Sequence, residues 1–134
     1  KSIEGDSINM AYRMPHKVPI KDAYFDVVIE GMQRAVQKGT ARFGQIPGVE
    51  FCGKTGTAQN PHGDDHSIFM AFAPKDNPQI AIAVYVENSG FGATWAVPIA
   101  SLMIEKYLHK SIAPNRLYLE KRMMESVIEP KEEK

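Results

Sequence analysis

The sequence predicts an α+β fold: one helix, a three-stranded antiparallel meander, and a C-terminal helix or helices. Three observations predict it. Phe25, Val28, Ile29, Met32 and Val36 recur at helical spacing and define one apolar face. Three short strand-like runs follow, separated by turn-rich segments too short to hold a crossover, which makes neighbouring strands antiparallel. A second helical pattern then begins after the loop Asn88-Ser89-Gly90-Phe91-Gly92.

Taken in order, residues 1–21 have weak periodicity and contain Pro15 and Pro19, so they read as an extended lead-in with room for one short strand. The first helix spans Asp22 to Lys38, with Asp22 as the N-cap and Gly39 suited to the C-terminal stop. Residues 42–48 form a loop. The strands are Val49 to Gln59, Ser67 to Ala73 and Gln79 to Glu87, joined by Asn60-Pro61-His62-Gly63-Asp64-Asp65 and by Pro74-Lys75-Asp76-Asn77-Pro78. The third strand carries Ile80, Ile82, Val84 and Val86 on one face and Ala81, Ala83 and Tyr85 on the other, which predicts cover on both sides. The second helix runs from about Thr94 to His109, capped by Thr94, with Pro98 tolerated in the first turn. Ile99, Leu102, Met103, Lys106 and Tyr107 are expected to face the sheet. A last helical stretch covers Asn115 to Ile128, and Glu129 to Lys134 is a charged tail.

The chain has 134 residues, 43% hydrophobic and 24% charged, ordinary for a globular chain of one domain or a large piece of one. Acidic and basic residues balance at 16 each, which removes any general pull toward nucleic acid or anionic lipid. The single cysteine, Cys52, excludes an internal disulfide. No apolar run reaches the roughly 20 residues that a membrane span needs. The opening Lys1-Ser2-Ile3-Glu4-Gly5 reads as the middle of something longer.

The chemistry concentrates in Gly53-Lys54-Thr55-Gly56-Thr57-Ala58-Gln59. On a strand the side chains alternate, so Thr55 and Thr57 share one face, with Lys54 on the other or at the rim. Gly56 leaves bare backbone against which a ligand can lie. An edge strand also offers unpaired N–H and C=O groups to an extended peptide. The Thr57 N–H is placed to meet a developing oxyanion, where one donor is worth about 3 kcal/mol of barrier. The Thr55 and Thr57 hydroxyls suit a terminal carboxylate, and Lys54 adds positive potential and assists proton movement. Lys54 and Thr57 are thus the candidate catalytic residues, and Thr55, Gly56 and Thr57 the candidate substrate-binding residues. Lys-Thr-Gly alone is a common triplet, and its plainest reading is an exposed strand end.

Context changes that balance. The segments Glu30-Gly31-Met32, Gly39-Thr40-Ala41, Gly53 to Gln59, His66-Ser67-Ile68-Phe69-Met70-Ala71-Phe72-Ala73-Pro74, Val86-Glu87-Asn88 and the Ala96 to Ala100 helix start occur in this order. In order and spacing, over about residues 22–108, the chain resembles the C-terminal third of the transpeptidase domain of the penicillin-binding protein 2 family. The resemblance implies a piece of the penicillin-recognising serine transpeptidase fold, divided into the lead-in 1–21, the matched region 22–109 and the C-terminal helix and tail 110–134. It implies acyl transfer through a serine ester, cross-linking peptidoglycan stem peptides that end in D-Ala-D-Ala, with β-lactam antibiotics acylating the same serine. The family's oxyanion N–H maps onto Thr57, its carboxylate contacts onto Thr55 and Thr57, and its cation onto Lys54. Cell-elongation membrane proteins are the implied partners, and the outer, periplasmic face of the cytoplasmic membrane the implied location. No metal or organic cofactor is implied.

The chain departs from the family's pattern: it contains no Ser-x-x-Lys, so the nucleophile and its lysine are absent. Ser7-Ile8-Asn9 formally matches Ser-x-Asn but stands out of family order, and a turn or strand reading is preferred. Family strands from before the serine motif are also missing, which predicts an orphaned edge on the third strand. The expected behaviour is a piece that is inactive alone and prone to self-association. Two alternatives stand beside the transpeptidase: a non-catalytic penicillin-binding sensor module and a serine β-lactamase. His62-Gly63-Asp64-Asp65-His66 has metal-ligand chemistry, but a polar hairpin loop is the preferred reading. Cys52 reads as a small packing residue, Trp95 as a core anchor at the helix start, and His16 and His109 as surface residues.

Overall fold

The computed structural model describes Met14 and residues 16–128. The expected lead-in strand, the Ser7-Ile8-Asn9 turn and the charged tail fall largely or wholly outside those residues. The chain is α+β in the order α1 (Asp22–Gln37), β1 (Cys52–Ala58), β2 (His66–Ala73), β3 (Ile80–Val86), α2 (Ala96–His109) and α3 (Leu117–Glu125). Single 3-10 turns at Arg42–Gly44 and Pro114–Arg116 precede β1 and α3. The sheet order is β1-β2-β3, antiparallel throughout, so both β1 and β3 are edge strands among the described residues.

The α1 helix forms where the apolar spacing predicts it, but Asp22 is its first residue rather than its cap. Lys21 takes the cap position with extended backbone and makes no side-chain cap bond. An acid in the first turn still favours the positive end of the helix dipole. Only the later turns of the apolar face are covered: Val36 is buried, Ile29 and Met32 are half-buried, and Phe25 and Val28 are exposed. At the C-terminus the Gly39 N–H donates to the Arg34 carbonyl at 3.1 Å, and a Cβ on Gly39 would sit 2.8 Å from the Ala35 Cα. Only glycine closes the helix this tightly.

Register assigns the two sheet faces. Ser67, Phe69, Ala71 and Ala73 of β2 lie beside Val86, Val84, Ile82 and Ile80 of β3. This face packs against Ala96, Val97, Ala100 and Ile104 of α2 to make the core. On the other face Cys52 is fully buried and its thiol donates to the Ile29 carbonyl of α1 at 3.5 Å. Met70 and Tyr85, at 55% and 53% exposure, stand open there. The expected two-sided cover of β3 is therefore corrected. Its Ala81, Ala83 and Tyr85 side is exposed, because α1 reaches β1 but not β3 among the described residues.

The second helix starts two residues later than expected, and Thr94 does not cap it. Its cap is tertiary: the Ala96 N–H donates to the Ser67 hydroxyl of β2 at 3.1 Å, and that hydroxyl donates to the Phe91 carbonyl at 3.1 Å. The sheet-facing stripe is also corrected. Val97, Ala100, Ser101, Ile104 and Glu105 are buried, whereas Met103, Lys106 and Tyr107 are exposed. Small residues let α2 approach the sheet closely, and Ile99, Leu102 and Met103 instead line a groove with Met123 and Met124 of α3. Glu105 tolerates full burial because Arg116 Nε donates to its Oε2 at 2.8 Å and the Ala113 N–H to its Oε1 at 3.0 Å. Arg116 also donates to the Ser101 hydroxyl at 2.8 Å and to the Gln45 carbonyl, joining α2, the turn before α3 and the entry to β1. Trp95 is half-buried at the start of α2, with the Arg122 guanidinium 5.7 Å from its ring centre, so it is a rim residue rather than a core anchor.

Candidate functional site

The site is the outer edge of β1. Lys54 and Thr57 are exposed, and Thr55 and Gly56 are half-buried. Which backbone groups face outward follows from Gly92, which lies over β1 and β2. A Cβ there would be 2.5 Å from the Ile68 carbonyl oxygen and 2.7 Å from the Gly56 carbonyl oxygen. Both oxygens can converge on one point only if both lie between the strands, so Gly56 and Ile68 form a hydrogen-bonded pair. Antiparallel pairs alternate, so Thr55 (opposite Phe69) and Thr57 (opposite Ser67) are non-hydrogen-bonded pairs. Their N–H and C=O groups point away from β2. The Lys54 ammonium uses one of these outward groups, donating to the Thr55 carbonyl at 2.8 Å.

Side chains complete the edge. The Thr55 and Thr40 hydroxyls are 2.8 Å apart. At Gly56 a Cβ would meet Ile68 Cβ at 3.4 Å, an ordinary contact, so the sheet does not require glycine there. Its effect is a bare patch beside Ile68, on the face opposite the two threonine side chains. At Gly53 a Cβ would run into the Phe69 ring, so that glycine is required by packing. Among the described residues the strand thus presents an ammonium, hydroxyls and outward amides along one open border, a set suited to an anionic, extended ligand.

Three segments hold the Thr57 end of this strand. Ser67, opposite Thr57, is fully buried and pins the Phe91–Ala96 segment. Asn60 Nδ2 donates to Asn88 Oδ1 at 2.6 Å, and the Asn60 N–H donates to Asp65 Oδ1 at 3.2 Å. The Asn88 N–H donates to His66 Nδ1 at 3.0 Å, which puts the proton of neutral His66 on Nε2. Asp65 and His66 therefore serve the hairpin, as the polar-loop reading of 62–66 expects. Thr40, Ser67, Asn88 and Gly92 carried no individual signal in the sequence; three of them lay only inside the segments that match the family.

Cys52 contributes no nucleophile. Burial pushes its thiol pKa up, with the Lys75 charge opposing and Asp76 and Glu50 adding to the rise. Raised and fully buried, it stays a thiol near neutral pH.

The sequence model of the penicillin-binding protein transpeptidase domain matches residues 1–105. The chain belongs to the penicillin-binding protein transpeptidase family. Among relatives in that family, the peptidoglycan D,D-transpeptidase PbpA of Mycobacterium tuberculosis is 41% identical over 83 residues, covering 54% of this chain and 16% of the relative. The chain is also similar to the structure of Pseudomonas aeruginosa PBP2 in complex with WCK 5153, with a TM-score of 0.64, 40% identity, and coverage of 76% of this chain and 24% of that one. The structure of penicillin-binding protein A from M. tuberculosis, a ceftriaxone acyl-enzyme complex, gives a TM-score of 0.55, 39% identity, and coverage of 60% and 20%. The chain thus spans about a sixth of the length of the curated penicillin-binding protein it matches. Its helix, meander and C-terminal helices are a PBP2-type piece of that fold.

Proposed function

We propose that this chain is the substrate-gripping part of a peptidoglycan D,D-transpeptidase, forming residues 1–134 of the C-terminal portion of its catalytic domain. The observation that carries the reading is the outward amide of Thr57 on an edge strand, with Thr55, Gly56 and the Lys54 ammonium beside it. A stem peptide ending in D-Ala-D-Ala lies along β1 as an added strand, its backbone passing over Gly56. The Thr55 and Thr57 hydroxyls and the Lys54 charge hold its terminal carboxylate. When a serine oxygen attacks the scissile carbonyl, negative charge develops on the carbonyl oxygen and meets the Thr57 N–H. The sheet already fixes that donor, so no reorganisation is needed as the charge appears. The terminal D-Ala leaves as its amine takes a proton, and a second stem peptide's amine then displaces the serine. Lys54 assists those proton movements through its field.

The serine and its lysine partner belong to a Ser-x-x-Lys segment that this sequence does not contain, so the chain alone forms no acyl-enzyme. β-Lactam antibiotics occupy the same edge. The parent is anchored in the cytoplasmic membrane with this part on the periplasmic face, working with cell-elongation membrane proteins. The isolated chain self-associates through the open edge of β3, Ile80–Val86. The test is covalent labelling by a fluorescent penicillin. The longer protein carrying this chain and its serine segment takes the label, Lys54→Ala slows labelling at least about tenfold, consistent with loss of a charge-assisted contact, and the chain alone takes none. Labelling of the chain alone, or an unaffected Lys54→Ala, contradicts the reading.

A further inference from the structure

We propose that Thr40, in the turn that follows α1, is a positioning residue that sets the Thr55 hydroxyl as a donor toward the substrate carboxylate; this rests on the transpeptidase reading above. The placement is built into the chain. Gly39 before it is forced close to Ala35, and Ala41 after it is fully buried with its N–H on the Ala35 carbonyl at 3.0 Å. Thr40 is held between two anchored neighbours, and its hydroxyl stands 2.8 Å from that of Thr55.

The consequence follows from counting protons. Thr55 has one hydroxyl hydrogen. If it donates to Thr40, it turns lone pairs toward an incoming carboxylate. If Thr40 donates to Thr55 Oγ1, the Thr55 hydrogen is released to bond the anion, and the chain Thr40 to Thr55 to carboxylate strengthens cooperatively. The Lys54 ammonium, 2.8 Å from the Thr55 carbonyl, attracts the anion to the same place. An anion therefore selects the second arrangement. Thr40 itself is exposed, so replacing it with valine removes the hydroxyl without opening a buried cavity.

The experiment compares acylation rate constants of the longer protein for a penicillin and for its methyl ester, which lacks the anionic carboxylate. Thr40→Val is expected to lower the rate for the carboxylate at least about tenfold, the value of one hydrogen bond to a charged group, and to leave the ester rate unchanged. Thr40→Ser restores the carboxylate rate, and Thr40→Val added to Thr55→Val has no further effect. Equal loss for both compounds, no loss, or no rescue by serine overturns the proposal. A wild-type protein that penicillin does not acylate overturns the transpeptidase reading, and this proposal with it; acylation with an unaltered Thr40→Val overturns this proposal alone.

Discussion

Replacing Arg116 with methionine tests how the three parts of the chain are joined. The guanidinium is 6% exposed and its partner Glu105 is fully buried. Arg116 Nε bonds Glu105, Nη2 bonds Ser101 and Nη1 bonds the Gln45 carbonyl. Methionine fills much of the stem's volume but leaves Glu105 with the Ala113 N–H alone and removes the cation between two other acceptors. Removing one partner of a buried pair costs about 3–5 kcal/mol, because the remaining charge stays desolvated. For a chain of this size that is a fall in Tm of roughly 10–20 °C. Replacing both partners, Glu105→Leu with Arg116→Met, removes the stranded charge and should recover about half of the loss or more. Urea unfolding followed by circular dichroism measures both variants, with an unchanged slope showing that the comparison is between like states. A single-variant cost below about 1 kcal/mol, or a double variant no more stable than the single, would refute the argument.

Three further outcomes follow from the same structure. Gly92→Ala places a methyl against two backbone oxygens, at 2.5 and 2.7 Å, so it should destabilise by about 1–3 kcal/mol in urea unfolding and shift the Gly56 and Ile68 amide resonances. Ser67→Ala removes the tertiary cap of α2 and strands the Ala96 N–H, an expected loss of about 1–2 kcal/mol in urea unfolding. Burial raises the Cys52 thiol pKa from its ordinary 9.0, so the folded state holds that proton more tightly than the unfolded chain does. Its contribution is complete below pH about 9 and is lost as the pH rises past the unfolded value toward the raised one. Between pH 7 and 10 the urea midpoint should therefore fall more in the parent than in Cys52→Ala; equal falls would contradict it.

Much of this fold was legible because periodicity reports local burial. The apolar spacing in α1 and the alternation in β3 located those elements to within a residue or two. What periodicity does not report is a partner elsewhere in the chain. Glu105 reads as a surface acid until Arg116, 11 residues away, folds back onto it, and this pairing turns α2 from its expected face. Thr94 has the right chemistry for a cap, yet Ser67, 29 residues from Ala96, occupies that role. Phe25 and Val28 continue the helical stripe beyond what the described residues cover. The candidate site divides in the same way. The alternation of Lys54, Thr55, Gly56 and Thr57 was readable from the strand alone. The Thr40 hydroxyl, 15 residues from Thr55, and Gly92 over the Gly56 carbonyl required the tertiary structure.

The most direct test of the account is amide hydrogen exchange along β1, read by NMR on dilute chain. The structure predicts alternation: Lys54 and Gly56 amides, directed at β2, are protected, whereas Thr55 and Thr57 amides, directed away from β2 and unpaired among the described strands, exchange near the unprotected rate. A Thr57 amide as protected as that of Gly56 would place its hydrogen inside the sheet and leave no donor for the oxyanion.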